Sequence, residues 1–123
     1  MRVLLDANAV LRYLLGDNAE MADQTKAAIE FGAFLLPEVL AEIVYVLRGV
    51  YDVPRSELAK KINAFLDEVE CDHPAVLRNA ISRFGSTKLD FIDCLLIAYH
   101  DELGDSVITF DKDMLKCLHA SSS

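Results

Sequence analysis

The sequence predicts an α/β fold: a three-layer α/β/α sandwich around a central, mainly parallel sheet of four or five strands. Two observations carry this expectation. Short apolar segments with strand character alternate with segments of helical period along all 123 residues. Strands separated by helices imply parallel pairing, with crossover helices on both faces of the sheet. Hydrophobic residues make up 53% of the chain, enough for one substantial core at this length.

Residues 2–5 read as a short buried strand. Residues 9–15 have helical period and stop at Gly16-Asp17-Asn18, a turn cluster. A second helix spans 19–31 and ends at Gly32. Residues 33–36 form the second strand. Pro37 then opens a helix to about 50, since proline suits a first helical turn. Asp52-Val53-Pro54 breaks the chain, and Arg55 or Ser56 starts a helix to about 68. Its apolar face is Leu58, Ile62, Phe65 and Leu66. Residues 69–71 give a third, short strand. His73-Pro74 starts a helix ending near 84–86. Residues 90–103 are a strongly apolar helix closed by Gly104-Asp105. Residues 106–110, rich in β-branched side chains, form the last strand, and 112–118 a last short helix.

No linker or repeat divides the chain, so one domain is expected over 1–120, with a disordered Ser-rich tail at 121–123. No apolar run approaches the ~20 residues of a membrane span. Met1-Arg2 leads into only three apolar residues before Asp6, which is no secretory pattern, and a cytoplasmic location is the default. Cys71, Cys94 and Cys117 are odd in number and lack CxxC spacing, so neither zinc nor a disulfide framework is indicated. Cys94 reads as a small core residue. The net charge of -8 excludes indiscriminate nucleic-acid binding. It does not exclude a nucleic-acid substrate at a metal-filled acidic site, because a bound cation reverses the local sign.

Four acids punctuate the apolar segments: Asp6, Glu42, Asp93 and Asp111. Carboxylates gathered in one pocket suit a hard divalent cation such as Mg²⁺ or Mn²⁺. Ligands in parallel α/β folds collect at the carboxyl ends of strands, where Asp6 and Asp111 fall. Asp6 reads either as the cap of the first helix or as a cleft residue that Asn8 leaves free by capping instead. Periodicity puts Glu42 opposite the apolar face of Leu40, Ile43, Val44 and Leu47, which is a solvent-facing position. Its like-charged neighbour Glu38, four residues back, is mildly destabilising without a cation. Asp90 reads as a helix N-cap, with Asp93 three positions on echoing a capping box. Asp93 also lies in a segment apolar nearly all round, where a buried carboxylate needs a partner charge or a metal. Asp111 and Asp113 flank Lys112; one of them caps the last helix, and Asp111 is the better site candidate. His73, His100 and His119 show no metal-binding spacing, and no serine or threonine has the histidine neighbour of a nucleophile pair.

Four segments together resemble the PIN-domain family, in particular the VapC-type ribonuclease toxins. They are Val3-Leu4-Leu5-Asp6-Ala7-Asn8; the run from Pro37 through Glu42 to Leu47; the run from Asp90 through Asp93 to Ala98; and Ile108-Thr109-Phe110-Asp111-Lys112-Asp113. Each is short, but their order and separation are specific. The resemblance implies a PIN-like sandwich and a Mg²⁺- or Mn²⁺-dependent endoribonuclease that hydrolyses RNA phosphodiester bonds. It makes Asp6 the first acid, Glu42 the second, Asp93 the third and Asp111 the fourth, with Asp113 as fallback. Asn8 matches a polar position beside the first acid and Thr109 a hydroxyl near the last. Asp6 and Asp93 are then the expected direct ligands, with Glu42 and Asp111 direct or through water. A cognate antitoxin and a homodimer are the implied partners. Cys94 departs from the usual small residue after the third acid, and a final edge strand found in some relatives is not expected.

Two rivals stand beside this reading. A catalytically silent PIN-like binding module would keep the fold without turnover; retention of all four acids argues against it. A receiver-type signalling domain needs an acid pair after the first strand, a phosphoacceptor Asp after a central strand and a Lys after the last. Here the first strand yields one Asp and the second runs into Pro37.

Overall fold

The structure, a computed structural model, describes residues 1–122, with side chains through residue 120. The tail at 121–123, expected to be disordered, lies outside the fully described residues. Among the described residues seven helices carry the fold: α1 (Ala7–Leu15), α2 (Ala19–Glu30), α3 (Pro37–Gly49), α4 (Arg55–Leu66), α5 (Pro74–Ser86), α6 (Phe91–Leu103) and α7 (Lys112–Ser122). Their ends follow local chemistry. Asp6 caps α1 and Asn18 caps α2, each side chain accepting a backbone N–H of the first turn. Pro37 and Pro74 open α3 and α5, where a missing N–H costs nothing. Gly16 and Gly104 close α1 and α6 at φ of 65° and 75°, the left-handed region that glycine enters without a steric cost.

The expected sandwich does not form. Among the described residues there is no sheet, only two isolated parallel bridges, Leu4 with Phe34 and Phe34 with Glu70. Three of the expected strands are therefore present as extended neighbours. Leu5 N–H donates to Phe34 O at 3.1 Å and Phe34 N–H to Val3 O at 2.7 Å. Leu35 N–H donates to Glu70 O at 2.8 Å and Glu70 N–H to Ala33 O at 3.2 Å. Pairing ends after one bridge per neighbour because helices crowd the segment ends. Helix α1 begins at Ala7, and α3 begins at Pro37, which has no N–H to extend a ladder. Segment 106–110 has no strand or bridge among the described residues, although its burial alternates. Val107 and Thr109 are half-buried, whereas Ile108 and Phe110 are 88% and 94% exposed. An extended backbone alternates sides whether or not a neighbour pairs with it. The period-two pattern therefore could not separate a strand from a lone connector.

The helices supply the core. Helix α5 packs along α6 and against α4; α1 packs on α2 and α7 on α6; α3 touches α1, α4 and α6. The predicted apolar face of α3, Leu40, Ile43, Val44 and Leu47, is fully buried, as are Leu58, Ile62 and Phe65 of α4. Helices α4 and α5 meet so closely at Gly85 that a Cβ there would stand 2.6 Å from the Ala59 Cβ. Helix α7 rests on a separate small cluster of Ile97, Met114 and Leu118. All three cysteines are free, and Cys94 is fully buried in the main core. No helix among the described residues is long and apolar enough to cross a membrane.

Candidate active site

Two of the candidate acids, Asp90 and Asp93, stand at the start of α6 and line one cavity. Asp90 holds the N-cap position but its side chain makes no capping hydrogen bond, so its carboxylate is not committed to the helix. Asp93, in the first turn, is half-buried. Burial first, and then the negative charges of Asp90 and Asp111, hold the Asp93 carboxyl above its ordinary 3.8. Asp93 thus feels the charge of two other predicted residues. None of Asp6, Glu42, Asp90, Asp93 or Asp111 has an ion-pair partner among the described residues.

Asp111 reaches this locus from the N-terminus of α7. Its Oδ1 accepts the Met114 N–H at 2.9 Å, and its own N–H donates to Thr109 Oγ1 at 3.1 Å. The hydroxyl expected near the last acid therefore fixes the turn that presents it. Asp113 is exposed in the first turn of α7 and does not contribute to the Asp93 field.

Asp6 is used differently. Its Oδ1 accepts the Ala9 N–H at 2.7 Å, so Asp6 caps α1, and Asn8 lies inside the helix, exposed. Asp6 borders a shallow groove between α1 and α2 with Leu5, Gln24 and Thr25, apart from the cavity that Asp90 and Asp93 line. Glu42 is exposed on α3 beside Ala41, which does line that cavity. Among the described residues no group of three or more His, Cys, Asp or Glu side chains comes close enough to hold a metal ion. The four acids are not gathered in one preformed cage. Carboxylates without cation partners still suit a hard divalent ion, which keeps several waters and takes one or two carboxylates.

The cavity beside Asp90 and Asp93 has a volume of about 480 Å³ and lies between α3, α5 and α6. Two of its residues escaped the sequence reading as site residues. Tyr45 is 76% exposed at its mouth. Arg55, half-buried, forms part of the wall: Nε donates to Phe84 O at 2.8 Å, Nη2 donates to Leu89 O, and the guanidinium lies 3.8 Å from the centre of the Phe84 ring. Nothing in the pattern around Pro54-Arg55-Ser56 signals a partner 29 residues away. The position of Tyr45 on the polar side of α3 was legible, but not what it faces.

A family model described as PIN domain matches residues 3–117. No curated protein and no solved structure matches the chain. PIN domains are normally α/β, and in this chain the sheet is reduced to the two bridges described above. They are generally nucleases, typically metal-dependent hydrolases that act on RNA. With the match covering nearly its whole length, this chain belongs to the PIN domain family.

Proposed function

We propose that this chain is a Mg²⁺- or Mn²⁺-dependent endoribonuclease, the toxin component of a type II toxin–antitoxin pair, acting on RNA in the cytoplasm. The observation that carries the nuclease reading is the PIN domain match over residues 3–117, with Asp90 and Asp93 lining one cavity and neither paired with a cation among the described residues. In a chain of the PIN domain family, such a locus fits divalent metal binding. Asp93 and Asp111 would hold the ion, with Asp6 and Glu42 completing the acidic set as substrate and metal arrive. When bound, the ion supplies Lewis-acid stabilisation of charge on the phosphodiester and makes nearby water a stronger acid. The protein's own contribution is to hold the carboxylates on or beside helices without cation partners among the described residues. The net charge of -8 fits a narrow RNA preference rather than general degradation. The toxin reading rests on the four segments that resemble VapC-type toxins, and an antitoxin and a second copy of the chain are the partners that the resemblance implies.

The test is cleavage of a pool of cellular RNAs with Mg²⁺ or Mn²⁺, comparing the wild type with Asp6→Asn and Asp93→Asn. Metal-dependent cleavage lost in both variants supports the scheme. Full activity in Asp6→Asn sinks the role given to Asp6, and RNA binding without cleavage favours a silent binding module. Growth arrest on expression, relieved by the product of an adjacent small reading frame, tests the toxin assignment separately.

A further inference from the structure

We propose that the cavity between α3, α5 and α6 is a nucleobase subsite, with Tyr45 as its stacking platform and Arg48 as its phosphate contact. The proposal rests on the reading of this chain as a ribonuclease and names how single-stranded RNA is held beside the acids.

Cavity size comes first. At about 480 Å³ the space falls within the range of pockets that take a small ligand. Its walls are apolar and include Val44, Phe84 and Phe91, while Ile92 at the mouth is 53% exposed. Burying an exposed isoleucine and an exposed tyrosine needs a flat apolar surface, which a base supplies.

Tyr45 is the second observation. Among the described residues its ring stacks on no other aromatic and its hydroxyl makes no hydrogen bond. It stands three residues before Arg48 on one helix, so the two side chains are surface neighbours, and both line the cavity. Aromatic side chains beside a cationic group are the usual means of holding an unpaired base and its backbone.

Charge complementarity selects a nucleotide over an apolar peptide. Among the described residues Arg48 has one ion pair, with Asp52 at 3.0 Å, their side chains 42% and 92% exposed, and its Nη1 also donates to Val53 O at a long 3.4 Å. So exposed a pair is weak and is readily exchanged for a phosphate, which takes a guanidinium in two-pronged fashion. Arg55 is less suited to this, because its Nε and Nη2 are held by Phe84 O and Leu89 O and its guanidinium lies over the Phe84 ring. Asp90 and Asp93 line the same cavity as Arg48. A base seated between them has one neighbouring phosphate toward Arg48 and the other toward the acids where cleavage is proposed.

The experiment uses the full chain and a fluorescently labelled, mixed-sequence single-stranded RNA pentamer. Binding is measured in chelator, where cleavage cannot contribute, and cleavage is measured separately with Mn²⁺. Tyr45→Ala is expected to weaken binding roughly fivefold or more, the low end of base–aromatic stacking, whereas Tyr45→Phe keeps the ring and binds as the wild type. Arg48→Met is expected to weaken binding and flatten its salt dependence. In the cleavage assay Tyr45→Ala raises KM and leaves kcat at saturation. Equal affinity of Tyr45→Ala and wild type overturns the subsite, as does an equal loss for a pentamer abasic at every position. Cleavage by wild type with an unaltered KM in Tyr45→Ala also overturns it, while leaving the nuclease reading intact. Tyr45-dependent binding without any cleavage supports the subsite and removes the nuclease reading. Failure of the wild type to bind the pentamer, with Tyr45 protected instead by a protein partner, overturns the subsite in favour of a peptide groove.

Discussion

Replacing Arg55 by methionine is expected to cost about 3 kcal/mol of stability. The number follows from three contacts. Phe84 O is one of the last four carbonyls of α5, which have no partner within the helix. The hydroxyls of Ser86 and Thr87 serve Ser82 O and Arg83 O, and Arg55 Nε serves Phe84 O from another helix. Arg55 is thus a remote cap, and its positive charge suits the negative end of α5. Removing it strands Phe84 O and Leu89 O, at about 1–3 kcal/mol for each buried group, less what water can replace at this partly buried site. The face of Phe84 loses its cation as well, worth about 0.5–1 kcal/mol near a surface. At roughly 3–5 °C per kcal/mol for a chain of this size, Tm falls by about 10 °C. The assay is thermal and urea unfolding followed by far-ultraviolet circular dichroism, with Arg55→Lys alongside. Lysine keeps the charge but has no planar fork to span two carbonyls, so it recovers only part of the loss. A methionine variant within about 2 °C of wild type, or a lysine variant equal to wild type, would falsify the capping argument.

Three further outcomes follow from the geometry. Gly85→Ala puts a Cβ 2.6 Å from the Ala59 Cβ and should cost about 1–3 kcal/mol despite alanine's better helix propensity. Urea unfolding of the single and double variants should show that Ala59→Gly offsets part of that cost; simple additivity of the two losses counts against a direct clash. Asp93 has a raised pKa, so the folded chain holds that proton more tightly than the unfolded chain does, and ionisation above the folded pKa costs stability. In chelator, Asp93→Asn should therefore raise Tm at pH 7, with the gain vanishing below pH 3.8; a lower Tm at pH 7 contradicts the sign. Tyr13 donates its hydroxyl to Glu68, and this bond first, then burial, pushes its phenol up to about 12. The stabilisation is intact below pH 10 and lost as pH climbs through about 12, and ultraviolet titration should show Glu68→Gln bringing that ionisation down.

The helices were legible because their signals are local. Pro37, Pro74 and Gly104 mark ends by their own backbone chemistry, and the Leu40, Ile43, Val44, Leu47 stripe names its own buried face. The sheet was not legible, because how far two segments pair depends on what crowds their ends. Segments 2–5, 33–36 and 69–71 do lie side by side, but each pair holds one bridge. At the site, the apolar setting of Asp93 pointed to partial burial, and the side chain is half-buried. The division of labour between Asp6 and Asn8 was not readable, since both residue types cap helices equally well and only the turn geometry chooses. Asp90 shows the converse: it occupies the cap position without capping. Arg55 left no trace in the sequence because its partners come from distant parts of the chain.

Asp6 and Asp111 each spend an oxygen on starting a helix, whereas Glu42 and Asp93 accept no hydrogen bond among the described residues. Selection therefore sees two kinds of acid. An oxygen-bearing residue at 6 and 111 is worth about 1 kcal/mol to the fold whether or not the protein turns over a substrate. Nothing comparable protects 42 and 93, and a charge at 93 is a burden on the folded chain. In descendants that have lost activity, Glu42 and Asp93 should drift first, while Asp, Asn, Ser or Thr persists at 6 and 111. Survival of the first and last acids is then a record of helix starts, and the middle pair is the one to read for a living enzyme.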